Sequence, residues 1–598
     1  MAVKSPTDID APLLTVSVLI SGTAVKDDYA LVSVNITYDV NRIPHAELVY
    51  VDGDLDDGGF PISDGSDFLP GGEIEIKASY TSVPASIFKG YIVKQGVQIN
   101  HSGPNNTVIT CKHKAVAMTY NRMEEEFTAK ADSDIITSIV GNYTGLSVTV
   151  DSTSVSQETM FQKLATDWDF ILARAEFYGY IITFKGDAIT VGKPKTDATA
   201  VLRIAQGDAL RTFSAVVSAE KQATTLSASA WDIKNQALLT AAASEPTVNA
   251  QGNLTAKTMS GKLGQTALTL NSCVPMVQAE LKAWADGSLT RMRLSAIKGD
   301  VSFIGSELVL PGDIIELAGV GDRFNGNAFV TQVNHVIEEG DWTTYVKFGL
   351  DNIAISERPD FSYPAASGQL PAMSGLQVAT VKKLSGDPED QFRIQVSLVS
   401  NAKTQDGVWA RMASFYATSG FGASFTPEVG DEVVVGFLES NPRYPVILGS
   451  LYSNARKNAA PSPDENNYIK TLSTKSNLKM TFDDDKKITK IVTPGGNSIT
   501  LSDDAKSIEL VDQNGNSLKM TSSGIDIKTG KDINLEATGN ITLKATGKVN
   551  LTATQDAVIT GMNVSATAQM GFTGKGSATA EVSASGQTTI KGGIVMIN

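Results

Sequence analysis

From residue 525 the chain repeats an apolar-x-apolar pair every eight residues. Ile525/Ile527, Ile533/Leu535, Ile541/Leu543 and Val549/Leu551 form the run, and Ala557/Ile559 closes it. Gly530, Gly539 and Gly547 fall between pairs, one of them a residue out of step. Alternation of this kind is strand periodicity, and a strict short repeat predicts a stacked rod rather than a globule. Each pair faces one way, while Asp526, Asn534, Thr542 and Asn550 between them face water. A single chain of octads buries its apolar pairs poorly. Three chains wound round a common axis bury them and leave no open edge. The repeat length therefore favours a homotrimer over a single-chain β-solenoid, whose coils usually need more than eight residues.

Upstream the pattern is mixed. Residues 13–100 alternate or run apolar in LLTVSVLISG, YALVSVNITYDV, AELVYVDGD, EIEIKASY and FKGYIVKQGVQIN, with DGD, DDGG, SDGSD and PGG turns between them. This predicts a small barrel or sandwich. Helical spacing predicts a helix at 133–143. It predicts another along Met160, Phe161, Leu164, Trp168, Ile171, Leu172 and Ala175, stopping at Gly179. A third is expected at 275–293, with Pro275 in its first turn and Val277, Leu281 and Trp284 on one face. A hairpin is expected around Lys185-Gly186-Asp187, and strands at 314–350 suggest a second small barrel. Pro/Gly/Ser/Ala-rich residues 360–375 and Pro/Asn-rich residues 454–467 read as linkers around a compact strand-rich unit at 376–452. From 468 onward only short strand pairs remain. No proline follows Pro494, and after Tyr468 and Phe482 the only aromatic is Phe572. A stacked sheet needs every backbone donor, and a narrow rod has no room for large rings.

At 598 residues the chain exceeds one core and calls for several domains. Its 51 glycines and 19% charged residues suit short strands and turns. The net charge of −15 lies almost wholly in residues 1–460, because residues 461–598 hold as many lysines as acids. No basic stripe exists to follow a phosphate backbone, which argues against nucleic-acid binding. Two cysteines, Cys111 and Cys273, give neither a disulfide framework nor a zinc cluster and read as core residues. MAVKSPTDID lacks the basic-then-apolar plan of a signal peptide, and no run reaches the ~18 apolar residues of a membrane helix. Cytoplasmic synthesis and assembly are expected.

The chain resembles the spike proteins of contractile injection systems: the valine-glycine repeat proteins (VgrG) of type VI secretion and of extracellular phage-tail-like particles. These are similar to the fused hub and spike of contractile phage tails. NRIPHAELVYVDGD (41–54) and FKGYIVKQ (88–95) resemble a first hub barrel, and TDWDFILARAEFYGY (166–180) resembles the hub's helix. LPGDIIELAGVGDRFNG (310–326) with NHVIEEGDWTTYVKFGL (334–350) is similar to a second hub barrel. PEVGDEVVVGF (427–437) and NPRYPVILGSLYS (441–453) resemble the oligonucleotide/oligosaccharide-binding (OB) barrel between hub and needle. The NRIPHAELV segment leans towards the released, antifeeding-prophage-like branch. The resemblance implies a mainly β chain with a tail-hub-like domain at 1–365, an OB-fold collar at 372–455 and a triple-stranded β-helix needle at 468–598. It also implies inner-tube and baseplate partners at the hub, a conical tip cap of the proline-alanine-alanine-arginine (PAAR) class and effector cargo. The needle would be driven mechanically through a target membrane.

The candidate chemistry points the same way. Asp167, Asp169 and Glu176 lie on or near one helix but have no nucleophile motif beside them, so they read as helix-start acids. His45, His101, His113 and His335 have no metal-ligand spacing, and none lies in the needle. Asp483–Asp485 reads as a turn, and Asp64–Asp67 and Asp512–Gly515 lack a calcium-loop register. The barrel at 376–452 lacks the cationic, aromatic-lined groove of a nucleic-acid binder and reads as a collar. No catalytic residue, cofactor or metal is expected. The needle core is expected to be Ile525, Ile527, Ile533, Leu535, Ile541, Leu543, Val549, Leu551 and Ile559. Ile594, Val595, Met596, Ile597 and Asn598 would form a blunt apolar platform for the cap, with no fused effector after it. A phage tail hub/spike is a neighbouring reading. A polysaccharide-cleaving β-solenoid would need carboxylates recurring on one face, and a fibre adhesin a terminal receptor-binding domain. Residues 525–598 offer scattered single charges instead.

Overall fold

Strict alternation in residues such as Leu31–Asp39 and His45–Val51 makes strands with one buried face. The computed structural model describes residues 3–8, 13–53, 58–81, 83–101, 103–232, 237–272, 276–354, 373–398, 407–460 and 464–597. Cys273, Pro275, Asn598 and most of the expected linker at 360–375 lie outside these. The chain divides into two units, Met1–Leu451 and Tyr452–Asn598.

In the first unit the strands expected at 13–100 and at 314–350 are hydrogen-bonded into one sheet of 13 strands. The joint is the antiparallel pairing of Gly326–Glu338 with Leu31–Asp39, which sets Val333 opposite Tyr38 and Ile337 opposite Val34. A shared core follows. Ile36, Leu48, Ile76, Phe88 and Ile109 from one region and Phe303, Val333, Trp342 and Phe348 from the other belong to a single buried cluster. The hairpin expected at 185–187 is present, with Ile181–Lys185 paired to Ala188–Gly192 and Gly186 at φ 55°.

Four α-helices lie among the described residues: α1 (Asp132–Val140), α2 (Asp167–Phe177), α3 (Ala256–Lys262) and α4 (Gln278–Leu294). α2 starts where Thr166 Oγ1 accepts from Asp169 N–H at 3.1 Å, with Asp167 and Asp169 in the first turn and Arg174 in the last, as the helix dipole favours. One expectation fails upstream. Met160, Phe161 and Leu164 are not helical, because Ser156–Thr166 is a strand paired with Arg122–Ala131. Leu164 sits at a bulge in that strand with φ 47°. The i, i+4 spacing of Met160, Leu164 and Trp168 imitated a helical stripe, and long-range pairing overrode it. In α4, Leu281, Ala285, Leu289 and Met292 build a second core against the sheet that contains Thr225–Asp232. Val277, expected on that face, caps the helix and is exposed, and its N–H donates to Glu280 Oε2 at 3.1 Å.

The turn that ends α2 meets α4 backbone to backbone at Gly179 and Gly287. A Cβ on Gly287 would lie 2.6 Å from Gly179 N, and one on Gly179 would lie 2.3 Å from Gly287 Cα. Glycine inside α4 costs about 1 kcal/mol of helix propensity, which the close approach explains.

Strands Gln377–Lys383, Ile394–Leu398, Val408–Met412, Pro445–Leu451 and Glu432–Phe437 close a five-stranded barrel. Val381, Val396, Val433, Val435 and Ile447 fill it, and Val408–Met412 runs parallel to Pro445–Leu451. In the second unit, seven strands from Ile469–Ser473 to Gly524–Lys528 form an antiparallel meander in chain order. Among the described residues, 529–597 contain no strand paired within the chain.

Gly287→Val should separate α2 from α4 and destabilise the first unit by about 3 kcal/mol. Urea unfolding of the full chain followed by tryptophan fluorescence checks this. An unchanged first transition would contradict the close-packing account.

Candidate assembly interface

The second unit is amphipathic across its strands. Register places Leu472, Met480, Ile491, Ile499, Leu510, Leu518 and Ile527 in one cross-strand row. A second row two residues away on the same face holds Lys470, Phe482, Thr489, Leu501, Ile508, Met520 and Ile525. The opposite face carries Thr471, Thr481, Lys490, Thr500, Glu509, Lys519 and Asp526, with Lys519 Nζ 3.4 Å from Glu509 Oε1. Period-2 alternation sorts the two faces. The apolar one is left open: Ile491, Ile499, Leu501, Ile508 and Leu510 are all exposed.

Both rows end on Ile525 and Ile527, the first octad pair. The apolar face thus begins at Leu472, some fifty residues before the regular repeat. The spacing between meander turns varies, so no fixed period marked this part in the sequence. Beyond it the expected core residues Ile525, Ile527, Ile533, Leu535, Ile541, Leu543, Val549, Leu551 and Ile559 are 55–78% exposed in the single chain. Ile594, Val595, Met596 and Ile597 are likewise exposed.

The acids singled out in the sequence are used structurally. Asp167 is buried and accepts from Tyr143 Oη and Gln162 Nε2, both at 2.7 Å. Burial and that carboxylate push the Tyr143 phenol above its usual range. Asp169 contributes its backbone N–H to the helix start described above. Glu176 is buried, accepts from Asn41 Nδ2 at 3.0 Å and lies 3.5 Å from Arg291. Asp132, which the sequence reading passed over, is fully buried and holds Arg174 in a two-pronged ion pair of 2.6 and 2.9 Å while accepting from Tyr178 Oη at 2.6 Å. Together these contacts tie α1, α2 and α4 to the sheet.

The histidines lie apart. His113 accepts from Ala115 N–H and caps a short 3-10 turn, and His335 stacks edge-on to Trp342. Full burial drives the His335 pKa down to about 4, so it is neutral at pH 7. Burial pushes the Cys111 thiol up to about 12. No group of three metal-ligating side chains occurs among the described residues, and Asp483 Oδ1 accepts from the N–H groups of Asp485 and Lys486 in a turn. No helix among the described residues is long and apolar enough to cross a membrane. The barrel carries more exposed aromatic surface than the sequence suggested: Phe415, Tyr416, Phe421 and Phe425 all face solvent.

Three family models match separate stretches of the chain. Residues 10–339 match the family described as the Alg8 N-terminal domain. Residues 377–452 match the type VI secretion system/phage-baseplate injector OB domain, and 488–555 the phage baseplate V C-terminal trimerisation domain. Among curated proteins, the chain is 32% identical over 107 residues to the type VI secretion system spike protein VgrG5 of Pseudomonas aeruginosa, covering 17% of this chain and 13% of that one. It is 32% identical over 109 residues to the spike protein VgrG3 of Vibrio cholerae, covering 17% and 10%. The chain thus spans about a tenth of the length of these relatives. Among solved structures, the tail protein of Neisseria meningitidis MC58 aligns with a TM-score of 0.42 at 13% identity, covering 57% of this chain and 98% of that one. The Francisella PdpA-VgrG complex aligns with a TM-score of 0.39 at 9% identity, covering 87% and 80%. The chain therefore belongs to the Alg8 N-terminal domain family over residues 10–339, continues into an injector OB domain and a baseplate trimerisation domain, and stands with the VgrG-type spike proteins.

Proposed function

We propose that the protein is the homotrimeric, non-enzymatic central spike of a contractile injection machine. The observation that carries this is the open apolar face running from Leu472 through the octads to Ile559, within which the trimerisation-domain match falls. An extended chain with unpaired backbone groups and exposed isoleucines is not stable alone. Three copies supply each other's missing partners, and each aliphatic side chain withdrawn from water contributes on the order of 1–2 kcal/mol. The polar face of the meander, with its Lys519–Glu509 pair, is left for solvent. A single-chain solenoid enzyme gains no support, since residues 529–597 contain no strand paired within their own chain among the described residues.

In this reading residues 1–365 seat the trimer on inner-tube and baseplate proteins, the 372–455 barrel is a collar, and 468–598 is a membrane-piercing needle. Ile594–Ile597, with Asn598, form the platform for a PAAR-type tip cap. The machine drives the spike, with any effector cargo, mechanically into a target cell. The work is force transmission, for which stability is kinetic: wound chains separate before any one unfolds.

Light scattering on the purified chain should give a mass near three times 63.3 kDa. A mass near one chain would overturn the proposal. Removal of residues 590–598 should leave that trimer intact and abolish binding of a PAAR-type cap. Undiminished cap binding by the truncated trimer would overturn the platform assignment.

A further inference from the structure

We infer that residues 413–426 of the OB barrel form an apolar knob that packs against the barrel of the next copy of this chain, closing a ring of three. This rests on the trimer proposed above. Short strands Ala417–Thr418 and Phe421–Gly422 pair antiparallel as a hairpin outside the barrel sheet. Phe415 is 87% and Phe421 66% exposed, and Tyr416 and Phe425 are more than half exposed.

The knob is a built element and not a stray loop. Tyr416 and Phe421 meet edge to face with ring centroids 6.2 Å apart. Ser414 Oγ donates to Ala423 O at 2.7 Å and so clasps the two sides, and Ala423 N–H returns a bond to Tyr416 O at 2.9 Å. Gly422, at φ 147°, lets the strands close, because a Cβ there would stand 2.6 Å from Tyr416 O. The rings are therefore held in place before any partner arrives, which lowers the ordering cost of docking.

Composition selects the class of partner. Residues 413–426 contain no charged side chain, so the knob cannot follow a phosphate backbone as aromatic platforms for nucleic acids do. Exposed aromatics without charge match the centre of a protein interface. Together the four rings expose on the order of 500 Å², a large part of the ~800 Å² that each side contributes to a stable interface.

Connectivity selects the occupant. The barrel's last strand ends at Leu451 and the first strand of the second unit begins at Ile469. The segment between them reaches no further than about 60 Å even when fully extended. Chains joined through the trimerisation domain therefore hold their barrels at an effective concentration on the order of millimolar. At that concentration an uncharged aromatic knob meets its own copies before any free protein. A ring of three needs one patch to meet a different one on its neighbour. Exposed Leu376 and Leu448, which flank Gly436 on the barrel, offer such a seat.

The test places the photoreactive p-benzoylphenylalanine at Phe421 in the full chain, irradiates the purified protein alone and runs it on a denaturing gel. Cross-linked dimers and trimers, with the adduct mapped to residues 376–412 or 427–451 of another copy, are expected. A sample of trimer mass by light scattering that yields no interchain product, or adducts only outside 376–412 and 427–451, would overturn the knob. A single-chain mass in the same sample would instead defeat the trimer reading on which it rests. The outcomes are thus separable.

Discussion

Everything in the second unit turns on one constraint: an extended backbone must pair its N–H and C=O groups, and its apolar pairs must leave water. From Ile469 to Lys528 the chain meets the first demand itself, through a meander in register from end to end. It does not meet the second, because the Leu472–Ile527 row stays open. From 529 onward neither demand is met within one chain among the described residues. Self-sufficiency thus fades along the segment.

The first unit obeys a different economy. Its apolar core is buried within the chain, and two of its buried ion pairs are Arg174 with Asp132 and Arg291 with Glu176. Breaking one partner of such a pair leaves an uncompensated buried charge, a loss of about 3–5 kcal/mol. With the Gly179–Gly287 contact, these pairs lock α1, α2 and α4 to one another. Carboxylates on a helix in a large protein invite a catalytic reading, yet here Asp132, Asp167 and Glu176 each accept from a named donor.

Much of this was legible in the residues. The octads declared themselves because eight-residue spacing is exact along Ile533, Ile541 and Val549. A compact strand-rich unit was legible from PEVGDEVVVGF, and strands between Gln377 and Leu451 close into a five-stranded barrel. The meander's share of the apolar face was hidden, because its turns differ in length and only cross-strand register aligns Ile491 with Ile499 and Leu510. The strand at Ser156–Thr166 was misread because its apolar spacing matches a helix, and its partner lies some thirty residues upstream. Asp132 escaped notice because nothing local marks a buried acid whose cation is 42 residues away. The aromatic hairpin was in plain view, but only the structure separates exposed rings from core ones.

The central claim is that residues 525–559 are completed by other copies of the same chain. Hydrogen exchange on the purified full-length protein tests it directly. Amides across Ile533–Ile559 should exchange as slowly as those of the meander strands, with protection of several orders of magnitude. Free exchange across that span beside a protected meander would contradict the account.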